Sequence, residues 1–138
     1  MIVDSGVWID HFSGRMNKAV RILQQALHDG DELHVLPAIV QEVLQGTKDA
    51  AQFRRYAGVL RPIPLARVTH LRRVAVAAAD LYARLRWSGL TIPPMDCFIA
   101  ASAIATGWPL LTADIDFLRI ARIQPRFRLL LPTPDSAA

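Results

Sequence analysis

The sequence predicts an α/β fold in which helices cover both faces of a central parallel sheet. Short apolar segments of strand length alternate with segments that have helical periodicity. No tight hairpin signal separates two apolar segments, so neighbouring strands are expected to run parallel. The chain has 138 residues, of which 52% are hydrophobic, which is enough for one compact core. We therefore predict one domain over residues 1–131 and a flexible tail over residues 132–138.

The first half of the chain predicts two strands and four helices. Ile2 and Val3 are typical of a short buried strand, and Leu33–Leu36 of a second strand that Pro37 closes. The predicted helices are, in order, Val7–Phe12, residues 17–29 with Asn17 as N-cap, a helix that carries Glu42 and ends near Gly46, and residues 48–59.

The second half begins with a loop or brief strand at residues 62–65 and continues with the longest helix. Apolar residues between Leu71 and Leu85 recur at helical spacing until Gly89. Residues 96–106 are small and apolar on nearly every side, which is typical of a helix buried among others. Leu110–Thr112 and Phe127–Leu131 predict the last two strands, with a short helix between them.

The positive charge is concentrated in the second half. Residues 1–60 carry six Lys or Arg against seven Asp or Glu, whereas residues 61–138 carry ten Arg against five acids. Arginine suits bidentate phosphate contacts, so either an RNA partner or a plain solvated surface explains this excess. The first candidates for phosphate contacts lie on the long helix and are Arg72, Arg73, Arg84 and Arg86.

Several classes of protein are disfavoured by composition. No apolar run approaches the roughly 18 to 20 residues that a membrane span requires. The start of the chain lacks the pattern of a secretion signal, and the single cysteine cannot form an internal disulfide. We expect a cytoplasmic protein without a membrane partner.

Four acids follow the ends of predicted elements. Asp4 comes directly after the first strand, and Asp114 follows the strand at Leu110–Thr112. Because the carboxyl ends of parallel strands meet at one edge of a sheet, both carboxylates are expected there. Glu42 lies one helical turn beyond the second strand, and Asp96 opens the apolar helix. The set of four is therefore predicted to converge.

Converging carboxylates repel one another unless cations hold them together. Hard oxygen ligands favour Mg²⁺ or Mn²⁺, as in nucleases that hydrolyse phosphodiesters. Ser5 and Thr112 are close enough in sequence to orient a ligand carboxylate or a water. In this hypothesis Asp4, Asp96 and Asp114 hold the metal, and Glu42 positions or deprotonates the attacking water. The expected products carry 5′-phosphate and 3′-hydroxyl ends.

Each acid also has a simpler interpretation. Asp96 and Asp114 are both suited to cap the helix that follows them, and Glu42 alone is typical of a solvated helix position. Asp4 has no capping role as clear as these. Asp10 is interpreted as a surface or turn acid, as are Asp29, Asp31, Glu32, Asp49, Asp80 and Asp135. The hypothesis therefore depends on the four acids as a set.

These residues resemble the motifs of PIN-domain ribonucleases of the VapC toxin type, from type II toxin-antitoxin systems. Each motif is weak alone, but four in this order and spacing are specific. The matching stretches are Met1–Ser5 with Trp8 and Phe12, Glu42–Leu44 with Gly46, Asp96–Ala101 with Ala103, and Leu110–Asp114 with Asp116 and Phe117.

The resemblance implies a three-layer α/β/α fold and a Mg²⁺- or Mn²⁺-dependent endoribonuclease that cuts structured RNA such as tRNA or rRNA. By position, Asp4, Glu42, Asp96 and Asp114 would form the acidic quartet, while members of the family differ in whether the acid at Asp116 points inward. Gly6 stands where the family often has a small polar residue. A homodimer and a VapB-like antitoxin partner are also implied.

Two other classes of function were weighed. A signalling receiver domain would need a phosphoacceptor Asp after its third strand and a Lys after its fifth, and the chain has no Asp near Leu65 and no Lys after Lys48. A catalytically silent RNA-binding or partner-binding module on the same fold would tolerate loss of its acids. Retention of all four favours the nuclease.

Overall fold

The structure, a computed structural model, describes residues 1–131 and confirms the α/β fold with a parallel sheet. Residues 132–138, predicted as a flexible tail, lie outside the described residues. Three two-residue strands stand in the order β1-β2-β3, and both neighbouring pairs are parallel. They are β1 (Ile2–Val3), β2 (Leu110–Leu111) and β3 (Leu129–Leu130).

Single bridges continue the sheet on the other side of β1. Ile2 pairs in parallel with His34, and Val35 pairs in parallel with Leu65. The prediction of a strand over Leu33–Leu36 was therefore wrong in extent, because the segment changes neighbour after one residue and forms no continuous ladder. The predicted strand Phe127–Leu131 is likewise shortened to β3. Buried extended backbone was recognised correctly, but the length of the ladders was not.

Seven helices connect these strands, each where helical periodicity predicted one. None of the helices in residues 1–131 combines the length and the apolar character that crossing a membrane requires. The helices are α1 (Ser5–Phe12), α2 (Lys18–Asp29), α3 (Pro37–Gln45), α4 (Ala50–Leu60), α5 (Leu71–Trp87), α6 (Pro94–Thr106) and α7 (Ile115–Ile123).

Helix ends follow from local chemistry. Asn17 caps α2 as predicted, because its side-chain oxygen accepts a hydrogen bond from the backbone N–H of Val20 at 2.9 Å. Gly30 ends the same helix in the left-handed conformation, with φ of 70°. The helix predicted to open at Asp96 begins two residues earlier, at Pro94, because proline fits the first helical position.

One apolar core fixes β1 and α1, the elements that begin the site. Ile2 and Val3 are fully buried, and Trp8 of α1 is buried with them. Burial of such a side chain stabilises a fold by about 1.5–3 kcal/mol. Phe12 stacks on Tyr56 of α4 with ring centroids 4.2 Å apart. Helix α1 is therefore held by Trp8 in the core and by Phe12 at its last residue, which limits the positions that the helix can take.

Candidate functional site

Asp4 lies at the carboxyl end of β1, between that strand and α1. Its backbone N–H donates to the carbonyl of Leu111, 2.9 Å away, as the last hydrogen bond between β1 and β2. Its carboxylate Oδ1 then accepts the N–H of Ser5 at 2.8 Å and caps α1. Asp4 thus has the capping role that the sequence suggested only for other acids.

Thr112 connects the two sides of the acidic cluster. Its hydroxyl donates to Oδ2 of Asp4 at 2.9 Å and accepts the backbone N–H of Asp114 at 3.0 Å. Thr112 is fully buried and Asp4 is 7% exposed. Burial raises the pKa of Asp4 to about 6, with Glu42 and Asp114 adding to the rise, while hydrogen bonds from Thr112 and Ser5 oppose it.

Glu42 projects from α3 toward β1. The Ser5 hydroxyl donates to its Oε2 over a long 3.4 Å. Its Oε1 is buried and has no hydrogen-bond partner within the part of the chain that is described. Burial raises the pKa of Glu42. A buried carboxylate oxygen without a donor is costly, so this atom is suited to accept a hydrogen bond or to bind a cation.

Asp96 occupies the first turn of α6, which Pro93 and Pro94 begin. The interpretation of Asp96 as an N-cap is wrong, because the N-cap position belongs to Pro93. Burial raises the pKa of Asp96 to about 7, and the charges of Asp114, Asp4, Glu42 and Asp116 add to the rise. The carboxylate is held close to four others without a capping role to explain it.

Asp114 and Asp116 complete the cluster at the start of α7. Asp114 caps this helix, as its simpler interpretation predicted, because Oδ1 accepts the N–H of Asp116 at 2.9 Å. Asp96, Asp114 and Asp116 each offer one carboxylate oxygen, and these atoms lie within 4.8 Å of one another. Asp116, the second acid after β2, therefore lies beside Asp96 and Asp114. Its Oδ1 also accepts a hydrogen bond from Arg119 at 2.9 Å.

A cavity of about 270 Å³ opens among these side chains. Asp4, Glu42, Asp96 and Asp114 line one part of it, together with Ser5. Asp10 and Asn17 line another part, where the Asn17 amide donates to Asp10 Oδ2 at 3.0 Å. The interpretation of Asp10 as only a surface or turn acid was therefore incomplete. Among residues 1–131, none of those that line this cavity is basic.

The donor set fits a hard divalent cation. Every acidic ligand candidate supplies carboxylate oxygen, which suits Mg²⁺ or Mn²⁺ rather than softer metals. The unpartnered Oε1 of Glu42 is free to bind a cation, and burial together with neighbouring carboxylates, which raise the pKa values of Asp4 and Asp96, is a setting that a bound cation would relieve.

The four arginines proposed for RNA binding lie on α5 and do not line the cavity. Arg72, Arg73 and Arg86 are exposed. Arg84 instead joins two helices, because it donates to the carbonyl of Ile123 at 2.9 Å and pairs with Asp80 at 3.2 Å.

Three residues near the acids were missed from the sequence. Asp10 follows Gly6 by four residues, which places both on one face of α1, and Arg119 follows Asp116 by three. Helical spacing from Asp116 was therefore the available signal for Arg119, whereas for Asp10 the signal was its spacing from Gly6 in the first turn of α1. Asn17 was recognised only as a cap and gave no sign of its contact with Asp10.

Comparison with known proteins gives consistent matches. Residues 1–123 match the family model described as PIN domain. VapC ribonuclease Mb1587 of Mycobacterium bovis and Ribonuclease VapC11 of Mycobacterium tuberculosis are each 27% identical over 125 residues, 89% of this chain and 92% of the relative.

The fold is also similar to that of solved structures. VapBC2 from Rickettsia felis, crystallised with a DNA fragment from its promoter, gives a TM-score of 0.72 at 18% identity. That alignment covers 96% of this chain and 98% of the other. FitAcB from Neisseria gonorrhoeae gives a TM-score of 0.67 at 16% identity, covering 94% and 95%. At these identities the similarity concerns the fold.

Proposed function

The chain belongs to the PIN domain family, and from this premise we propose that it is a metal-dependent endoribonuclease of the VapC toxin type. The observation that carries the proposal is the convergence of Asp4, Glu42, Asp96 and Asp114 on one cavity, with Glu42 Oε1 buried and unpartnered. Relatives named as VapC ribonucleases support the same activity. The proposed substrate is structured RNA, such as tRNA or rRNA.

We propose that Asp4, Asp96 and Asp114 hold Mg²⁺ or Mn²⁺, with Glu42 and Asp116 as further ligands. When bound, such a cation would supply Lewis acidity toward a phosphate oxygen and would lower the pKa of a nearby water. Thr112 and the N–H of Ser5 fix both oxygens of Asp4, so this carboxylate is oriented before any ligand arrives.

Glu42 is the proposed general base. Its Oε1 has no donor within residues 1–131, and burial raises the pKa of Glu42, which makes its carboxylate a stronger base. In this role Oε1 accepts the proton of the attacking water, while Ser5 holds Oε2. The cleaved RNA then carries a 5′-phosphate on one fragment and a 3′-hydroxyl on the other.

We further propose a VapB-like antitoxin, a homodimer and a cytoplasmic location. Two of the structures with a similar fold are described as VapBC2 and VapBC-5, and the second as a member of a toxin-antitoxin family. Exposed apolar side chains on α5, such as Val76 and Trp87, are typical of a surface that another protein covers. Light scattering of the purified chain, alone and with its antitoxin, tests both assemblies.

The second candidate is a catalytically silent RNA-binding or partner-binding module. The same fold would serve it, but it has no use for a pocket of acids that repel RNA. The crowding of Asp96 by neighbouring carboxylates therefore favours the nuclease.

One experiment separates the two. Wild type, Asp4→Asn and Asp96→Asn are compared for cleavage of labelled RNA with Mg²⁺, Mn²⁺ or a chelator, and for growth arrest on expression. Each substitution is expected to lower the rate by on the order of 100-fold or more. Asp80→Asn, which changes an exposed acid on α5, is the matched control. Cleavage that persists in chelator, or in both site variants, rejects the metal-nuclease proposal.

A further inference from the structure

We propose that Arg119 is a substrate-binding residue, whose guanidinium is held beside the acidic cavity by Asp116 and contacts a phosphate of the RNA backbone. Arg119 has this role only if the chain cleaves RNA as proposed above. It would then be the contact that places the RNA strand across the acids.

The position of Arg119 follows from two short distances. Its Nη1 donates to Oδ1 of Asp116 at 2.9 Å. Asp116 in turn offers an oxygen within 4.8 Å of ligand oxygens on Asp96 and Asp114. The guanidinium is therefore a near neighbour of the acidic cluster, and its side chain is 39% exposed, so RNA can reach it from solvent.

Arg119 keeps donors available for a second partner. A guanidinium has five N–H donors in a planar fork that matches phosphate geometry. Within residues 1–131 the hydrogen bond of this side chain is made by Nη1, which leaves Nε and Nη2 without a partner. Arg119 can thus remain on Asp116 and bind a phosphate at the same time.

Electrostatics favour a cation beside the acidic cavity. RNA must bring a phosphate next to Asp4, Glu42, Asp96 and Asp114, and no residue that lines their cavity is basic. The divalent cation offsets part of this charge, and a guanidinium at the edge offsets more. Arg84 of α5 is less suited to the task, because the carbonyl of Ile123 and Asp80 already engage it.

The competing explanation is an ordinary ion pair on the surface of a helix. Pairs three residues apart on an exposed helix face contribute little to stability, so such a pair would leave RNA binding unchanged when broken. The salt dependence of RNA binding separates the explanations, because each lost phosphate contact lowers the slope of log K against log salt by about 0.7 for single strands.

The test measures binding of a fluorescent single-stranded RNA over a range of salt concentrations, in the Asp96→Asn background so that the RNA stays intact. Arg119→Gln is expected to weaken binding by about tenfold and to lower the salt slope by about 0.7. Arg119→Lys is expected to keep the slope and lose part of the affinity. Arg122→Gln is the matched control, with the same charge change at an exposed position of α7, and is expected to change neither quantity.

Cleavage kinetics in the otherwise wild-type chain give a second readout. Arg119→Gln is expected to raise KM more than it lowers kcat, and its effect is expected to shrink in an Asp116→Asn background, where the anchor is gone. If the Asp96→Asn chain binds RNA too weakly to measure, the KM values of the cleavage-competent variants decide whether Arg119 binds the substrate. Equal effects of Arg119→Gln and Arg122→Gln overturn the assignment of Arg119 alone. A wild-type chain that does not cleave RNA overturns the proposed function, and the role of Arg119 with it.

Discussion

Thr112 is the residue on which the geometry of the acids depends most directly. It donates to Asp4 Oδ2 and accepts the N–H of Asp114, so one buried hydroxyl holds the carboxylate of Asp4 and the backbone of Asp114. Thr106 has a similar pattern with main-chain partners only, since it donates to the carbonyl of Ala103 and accepts the N–H of Trp108. The two threonines differ chiefly in their acceptor, which is the Asp4 carboxylate for Thr112 and a backbone carbonyl for Thr106.

We predict that Thr112→Val lowers the free energy of unfolding by about 2 kcal/mol, because a buried carboxylate and a backbone N–H both lose their partner. The pKa of Asp4 should rise further, because the Thr112 hydrogen bond lowers it. Urea denaturation in chelator measures the loss. Thr106→Val is expected to lose less, and an equal loss in both variants would contradict a special role for the Thr112 hydroxyl.

The location of a single site residue could be predicted only where that residue directly follows a recognisable strand. Asp4 and Asp114 were placed correctly because each follows an apolar strand. The capping roles of Asp4 and Asp96 could not be predicted. Asp4 caps α1 and Asp96 caps no helix, because a capping role depends on the residue at which each helix begins. Arg119 was missed because the role that we propose for it depends on its contact with Asp116.

At the scale of elements, helices were predictable and strands were only partly so. Helix periodicity and caps are local, so α2 and α5 were found with accurate ends. The strands have two residues each, and the segment at His34 and Val35 bridges two different neighbours. Apolar composition shows that such a segment is buried, but the neighbours that define a ladder lie far away in the chain.

The start of α5 carries backbone strain. His70, at the N-cap position, has φ of 56° and ψ of 54°, in the left-handed region that disfavours side chains with a Cβ. It is exposed and makes no capping hydrogen bond through its side chain. The turn before the longest helix is therefore held in place by its surroundings rather than by the preference of His70.

We predict that His70→Gly raises the free energy of unfolding by about 1 kcal/mol, because glycine adopts this conformation without the steric penalty. His28→Gly, an exposed histidine in the last turn of α2, is the control and should destabilise the chain by about as much. Thermal unfolding of both variants measures the difference. Destabilisation by His70→Gly would show that the imidazole makes a contribution larger than the strain.

For the whole molecule, the acidic cluster opposes folding when no cation is bound. The folded-state pKa values of Asp4 and Asp96, about 6 and about 7, are above the ordinary value of 3.8. The folded chain therefore binds more protons than the unfolded chain between about pH 4 and pH 7. In this pH range the free energy of unfolding therefore falls as pH rises.

We predict that the chain in chelator is most stable near the lower end of this range and loses stability up to about pH 7, above which this contribution is constant. Mg²⁺ or Mn²⁺ should reduce the loss, because the cation binds the deprotonated carboxylates. Asp96→Asn should be more stable than wild type at pH 8 in chelator, whereas Asp80→Asn should match wild type. A stability that rises between pH 5 and pH 7 in chelator would contradict the burial of these charges.

The hydrogen bond from Thr112 to Asp4 joins positions 108 residues apart, and β1 has β2 as its strand partner. Translation makes β1 before β2, and both β2 and two of the companion acids, Asp96 and Asp114, are made more than ninety residues after Asp4. Closing so long a loop is slow compared with forming a helix. A ribosome-bound chain cannot assemble the acids until Asp114 has emerged, so the order of synthesis delays formation of the acidic cluster until most of residues 1–131 has been made.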